Sequence, residues 1–300
     1  VSDVLAISSL DNPADLPSIE ELKKKVKDFA DNLMELKETP MIEEYYTGPV
    51  LFEGGAASRL FTDNLLSPGR LLALRTMAPA RGMLDEQLGR RIIDSRLTVK
   101  NYTTLAEYNG TPLFGCYEID GDGVVPAAEL TLVENGVFKR MLNGRVPTLK
   151  APESTGSARF MISPDNPMAI VSPGTIHVQA SKGVGPEKLK KALLKAAKEA
   201  DLEYAYIVRR IGGEASAVYK VNVKDGKETR VRVNNLSAPE LTKLMDLKGI
   251  SSDERVMNYF PNGVPASLIY PSAIIVGDVE INRTTPKIEE EPVLKHPLQR

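Results

Sequence analysis

Glu53 stands where an extended run meets a helical one. The stretch GPVLFEGGAASRLF, residues 48–61, passes from an apolar, strand-like segment into helical spacing, with the glutamate at the join. A carboxylate at such a junction can act as a general base, and some metallohydrolases set a metal-binding His-Glu pair at the start of a helix in this way. The flanking positions here are Phe52 and Ala57, neither of which has a donor atom. These residues alone leave three readings open: an active site, the remains of one, or an ordinary helix start.

Other chemistry is sparse. The chain has two histidines, His177 in the strand-like GTIHVQ and His296 in a Pro-rich tail. Neither H-E-x-x-H nor a Cys–His spacing suited to zinc occurs, so His177 reads as a surface or packing residue rather than a ligand. G-x-S-x-G is missing too, which leaves Ser-His-Asp catalysis without candidates. Cys116, the single cysteine, lies among apolar residues in LFGCYEI and reads as a buried structural thiol. DGDG at 120–123 lacks the spaced acids and closing glutamate of a calcium loop and reads as a turn. STGSAR offers hydroxyls, backbone N–H groups and a cation through Ser154, Thr155, Gly156, Ser157 and Arg159. It could bind a carboxylate or a peptide, and it could equally be a polar loop. IGGE at 211–214 fits a bulge or a close backbone contact. No metal-ligand set is identified.

The chain of 300 residues carries 38 Lys+Arg against 40 Asp+Glu, a net charge of -2. Such a balance offers no basic excess for nucleic acid or an anionic membrane. No apolar run is long enough for a spanning helix, and the start lacks the basic-then-apolar order of a signal peptide. One cysteine fits a reducing compartment and equally a large extracytoplasmic domain stabilised by its core; of the two, a cytoplasmic location is the expectation. The opening VSDVLA, without an initiator Met, is read as a trimmed or partial chain.

The elements that must position these residues can be read from spacing. Ser18 and Glu21 form a capping box ahead of an amphipathic helix over 19–38, expected to lie on the body as an arm. A second helix is expected over 53–66 and a third over 185–203, with Pro186 in its first turn. Asn135-Gly136 joins two alternating runs within 129–142 as a type I′ hairpin. Further strands lie in 168–181, on both sides of a Pro-Gly turn, and in YAYIVRRI, AVYKVNVKDGKETRVRV and SAIIVGDVEI. The order helix, helix, strands, helix, strands predicts an α+β fold with a mainly antiparallel sheet or barrel-like core and a few packed helices.

Taken together, YTGPVLFEGGAASRLF, DGDGVVPAAELTLVENGVFKRML, STGSAR, AVYKVNVKDGKETRVR and NGVPASLIYPSAIIVGDVEI resemble, in order, the C-terminal half of the TldD/PmbA family. Its members are known as modulators of DNA gyrase and are classed as metallopeptidases. The resemblance runs from about Tyr46 to Ile281. It implies an N-terminal segment at 1–41, a β-rich domain at 42–285 and a charged tail at 286–300. In the family's peptidase branch, H-E-x-x-x-H follows the GPVL-type strand and holds zinc, with a cysteine near the C-terminus as third ligand. Here that register reads Phe52-Glu53-Gly54-Gly55-Ala56-Ala57, and RVMNYFPNGVPAS has no cysteine. The resemblance is therefore to the PmbA, TldE-like branch. It implies no zinc cofactor, a vestigial Glu53, and a homodimer or a heterodimer with a TldD-type subunit that acts on a peptide or unfolded protein. Two other readings are a hydrolase with an unrecognised site and a binding homodimer without proteolysis.

Overall fold

The structure is a computed structural model and describes residues 5, 7, 9, 16–42, 44–74, 84–161, 168–212, 216–233 and 236–281. The tail at 286–300, His296 and the second half of IGGE lie outside them.

Two six-stranded sheets dominate. The first has the order β12 (Glu228–Val231), β11 (Ala217–Asn222), β10 (Tyr204–Arg210), β1 (Tyr46–Glu53), β16 (Ala273–Ile281) and β13 (Leu247–Ile250). The second runs β14 (Glu254–Tyr259), β15 (Ala266–Pro271), β9 (Thr175–Ala180), β2 (Leu97–Tyr102), β5 (Glu129–Glu134) and β6 (Val137–Phe138). Each sheet contains one parallel contact, β1 with β10 and β15 with β9, and its other pairings are antiparallel. The expected α+β class and mainly antiparallel pairing hold. Neither sheet closes on itself among the described residues, so the barrel alternative gives way to two open sheets.

Why β1 is central can be read from its side chains. It is buried on both faces: Val50 and Phe52 enter the core shared by the two sheets, and Leu51 enters a second core behind the first sheet. An uninterrupted apolar strand suits a position with covered faces on both sides. Helix α2 (Gly55–Leu65) places Ala56, Ala57, Leu60, Phe61 and Leu65 in the shared core. Helix α3 (Pro186–Glu199) covers the back of the first sheet with Leu189, Leu193 and Ala197.

Two expectations need correction, and a third gains detail. Helix α1 (Ile19–Glu38) has its capping box, but of its residues only Leu36 is buried, and Val26 and Met34 are 56% and 66% exposed. The helix is tethered at its C-terminal end, where the Arg230 guanidinium donates to Glu35 and Asn32. Leu22, Phe29 and Leu33 on its apolar face are only partly buried. Both expected strands around Pro173-Gly174 form, in different sheets: β8 (Met168–Val171) pairs with β7 (Ala158–Met161), while β9 joins the second sheet. In the Asn-Gly hairpin the second strand is short. Asn135 and Gly136 take positive φ angles of 47° and 78° as the turn requires, but the chain leaves the ladder after Phe138. Lys139 and Arg140 then both direct their N–H groups to the Leu132 carbonyl.

Candidate functional site

The join at Glu53 is held by strand pairing on both sides. Phe52 pairs in parallel with Val208, and Glu53 pairs antiparallel with Ala273. The next residue along β10, Arg209, therefore comes beside Glu53. Gly54 turns the chain with φ 54° and ψ -124°, and its N–H donates to the Ser272 carbonyl at 2.8 Å. Helix α2 then begins without a side-chain cap.

Glu53 does not stand alone. Arg209 Nε donates to Glu53 Oε2 at 3.0 Å, and Arg209 Nη2 donates to Glu228 Oε2 at 2.8 Å. Lys190 Nζ donates to Glu228 Oε1 at 2.6 Å, and the Arg209 guanidinium lies 4.4 Å over the Tyr219 ring. Burial works to raise the pKa of Glu228, but the bonds from Lys190 and Arg209 outweigh it and hold the carboxyl below its usual range. The junction borders a cleft of about 280 Å³, with Arg255, Ser272 and Pro186 on its other sides. Phe52 and Ala57 are both fully buried, pointing into the shared core. A carboxylate already engaged by a guanidinium, with no donor at either flanking position, is a poor metal anchor. Among the described residues no group of three or more His, Cys, Asp or Glu could hold a metal.

The STGSAR residues lie elsewhere. Ser154 and Thr155 line a separate cleft that shares no lining residue with the first. Thr155 Oγ1 accepts from Asn143 N–H at 2.7 Å and lies 2.9 Å from Ser157 Oγ, so both hydroxyls brace the loop. Gly156 has a φ of 67°, and a Cβ there would come 2.8 Å from Pro126 Cα. The Arg159 guanidinium stacks 4.1 Å over Tyr117. DGDG is a turn, as read: the Asp120 carboxylate accepts from the N–H groups of Asp122, Val124 and Ala158 at 2.9, 2.8 and 3.0 Å.

One residue departs from its expected setting, and a second falls on the packing side of its reading. Cys116 is exposed rather than buried; its thiol donates to the Leu105 carbonyl, and partial burial raises its pKa. His177 is buried, with Nε2 at 2.9 Å from Glu254 Oε1 and the Tyr108 ring 5.3 Å away, edge-on. Tyr108 donates to the other Glu254 oxygen from a two-strand hairpin, β3 (Glu107–Tyr108) and β4 (Thr111–Pro112). Burial tends to raise the pKa of Glu254, but its bonds to His177 and Tyr108 bring it below the usual range. Burial first, then the carboxylate, pushes the Tyr108 hydroxyl up to about 12.

Sequence reading missed Arg209, Glu228 and Glu254. The parallel register of β1 on β10 was needed to find Arg209, and no local motif marks it. Glu254 meets a histidine 77 positions away.

A family profile described as the PmbA/TldA metallopeptidase C-terminal domain matches residues 45–283. Among solved structures, TldE from Thermococcus kodakarensis aligns with a TM-score of 0.54 at 17% identity, over 80% of this chain and 51% of that one. A candidate modulator of a DNA gyrase from Thermotoga maritima aligns with a TM-score of 0.50 at 16% identity, over 82% of this chain and 51% of that one. The chain thus spans about half the length of these structures, and at such identity the likeness is one of fold. Among curated proteins, none matches the sequence.

Proposed function

The chain belongs to the PmbA/TldA metallopeptidase family through its C-terminal domain, and from that premise we propose that it is a non-catalytic subunit of a peptide-processing assembly. One observation carries this reading. Where the peptidase branch has its two histidines, this chain has Phe52 and Ala57, both fully buried in an apolar core, and the glutamate between them is in an ion pair with Arg209. The residues present do not fit a zinc ion. Zinc would belong to a TldD-type partner that carries H-E-x-x-x-H, and the substrate would be a peptide or unfolded protein. In the same proposal the setting is cytoplasmic, consistent with a lone exposed thiol. No helix among the described residues is long and apolar enough to cross a membrane.

The test is metal content and activity of the purified chain, followed by recovery from its native host. The expected result is substoichiometric zinc, no chelator-sensitive peptide cleavage by the chain alone, and co-purification of a second chain bearing H-E-x-x-x-H. Stoichiometric zinc, or cleavage by the isolated chain that a chelator abolishes, would overturn the reading. Recovery of a homodimer alone would replace the heteromeric assembly with a binding homodimer.

A further inference from the structure

A second cleft, of about 320 Å³, opens between β5 with the segment that follows its hairpin and the stretch 150–155. Its floor is apolar, built by Leu88, Leu130 and Met141, and its rim is basic, carrying Lys139, Arg140 and Lys150 against the single carboxylate of Glu153. Glu134 engages Lys139 at 3.2 Å. Arg140 and Lys150 make no ion pair among the described residues, although the chain as a whole is close to neutral at -2. The basic excess is therefore local to this rim.

The far wall is built in advance. Asn143 is fully buried and donates from its side-chain amide to the Ala151 carbonyl at 2.7 Å. Its backbone N–H donates to Thr155 Oγ1, also at 2.7 Å, and its carbonyl accepts the Thr155 N–H at 3.1 Å. Both Ala151 and Thr155 line the cleft. A preformed wall reduces the ordering cost that opposes association.

The chemistry selects its occupant. An apolar floor removes an apolar side chain from water, and unpaired cations at the mouth favour carboxylates beside it. Apolar surface also continues past the cleft, at Val125 on its margin and at Leu149 next to Lys150, which are 73% and 85% exposed. That extent suits a chain segment better than a compact small molecule. We infer that this cleft docks an extended protein segment in which an apolar side chain is flanked by acidic residues. The inference does not depend on the reading of Glu53, because the two clefts share no lining residue.

Fluorescence polarisation on the full chain tests it, using a labelled, end-blocked peptide of alternating Leu and Glu against its Leu/Lys counterpart. The acidic peptide should bind at least about tenfold more tightly and lose affinity as salt rises. The double reversal Arg140→Glu with Lys150→Glu, at exposed positions, should reduce acidic-peptide binding by about tenfold or more and improve binding of the basic peptide. Single reversals should give intermediate losses. Equal binding of the two peptides, binding of neither, or an acidic-peptide affinity unmoved by the double reversal would sink the proposal. Zinc content and co-purification are read on other residues, so failure there and failure here are told apart.

Discussion

At the scale of residues, the telling feature is how two glutamates are used. Glu53 stands at the join of β1 and α2, and its carboxylate is committed to Arg209, which bridges on to Glu228. Glu254 sits between His177 and Tyr108 and ties a hairpin to the second sheet. Because the Glu254 pKa is lowered in the fold, its contribution to stability is present above the unfolded value and is lost as pH falls through the folded one. The ordinary value for a glutamate is 4.5, so the loss begins as pH drops below about that point. Glu254→Gln should therefore be less stable than the parent at neutral pH, and the gap should close in acid. Urea midpoints for both proteins between roughly pH 3 and 7 check this; a gap that widens in acid would refute the assignment.

At the scale of elements, the strand-to-helix join depends on Gly54. Its φ of 54° with ψ of -124° is a backbone conformation that side chains resist, and an added Cβ would meet Arg255 Nη1 at 3.0 Å. Gly54→Ala should cost about 1–3 kcal/mol by denaturant unfolding. The cause is backbone strain rather than the contact, since the end of an arginine can move aside. Adding Arg255→Ala should therefore recover little of the loss, and full recovery would shift the cause to the contact. The element that precedes this join, β1, was readable because GPVLF is apolar throughout, and α2 because its inward residues repeat at helical spacing. The join's partners were not readable, because Arg209 and Glu228 arrive on strands whose register only the assembled sheet sets. The same holds for β8 and β9. Both strands are visible in 168–181, but their assignment to different sheets depends on long-range pairing.

At the scale of the whole molecule, two open sheets share one core, and α3 closes a second core behind the first sheet. Helix α1 is the outlier. Its sequence is amphipathic, yet Leu22, Phe29 and Leu33 are only half-buried and Val26 and Met34 are exposed. If the isolated chain leaves that face in solvent, Val26→Lys with Met34→Lys should change its unfolding free energy by less than about 0.5 kcal/mol per site. A loss of several kcal/mol in the same denaturation experiment would mean that the face is packed.

The sequence by itself determined the class of the fold, the existence of its main helices and strands, the tight turn at Asn135-Gly136, and the missing donors at Phe52 and Ala57. All of these follow from side-chain chemistry, turn geometry and periodicity within a few neighbouring residues. Only the tertiary structure decided that the sheets stay open, that α1 is held at one end, that Cys116 is exposed, and that Glu53 and the STGSAR loop border different clefts. The physical reason is distance along the chain. Such outcomes rest on contacts between segments far apart in sequence, such as Glu53 with Arg209 across 156 positions, and local composition does not carry them.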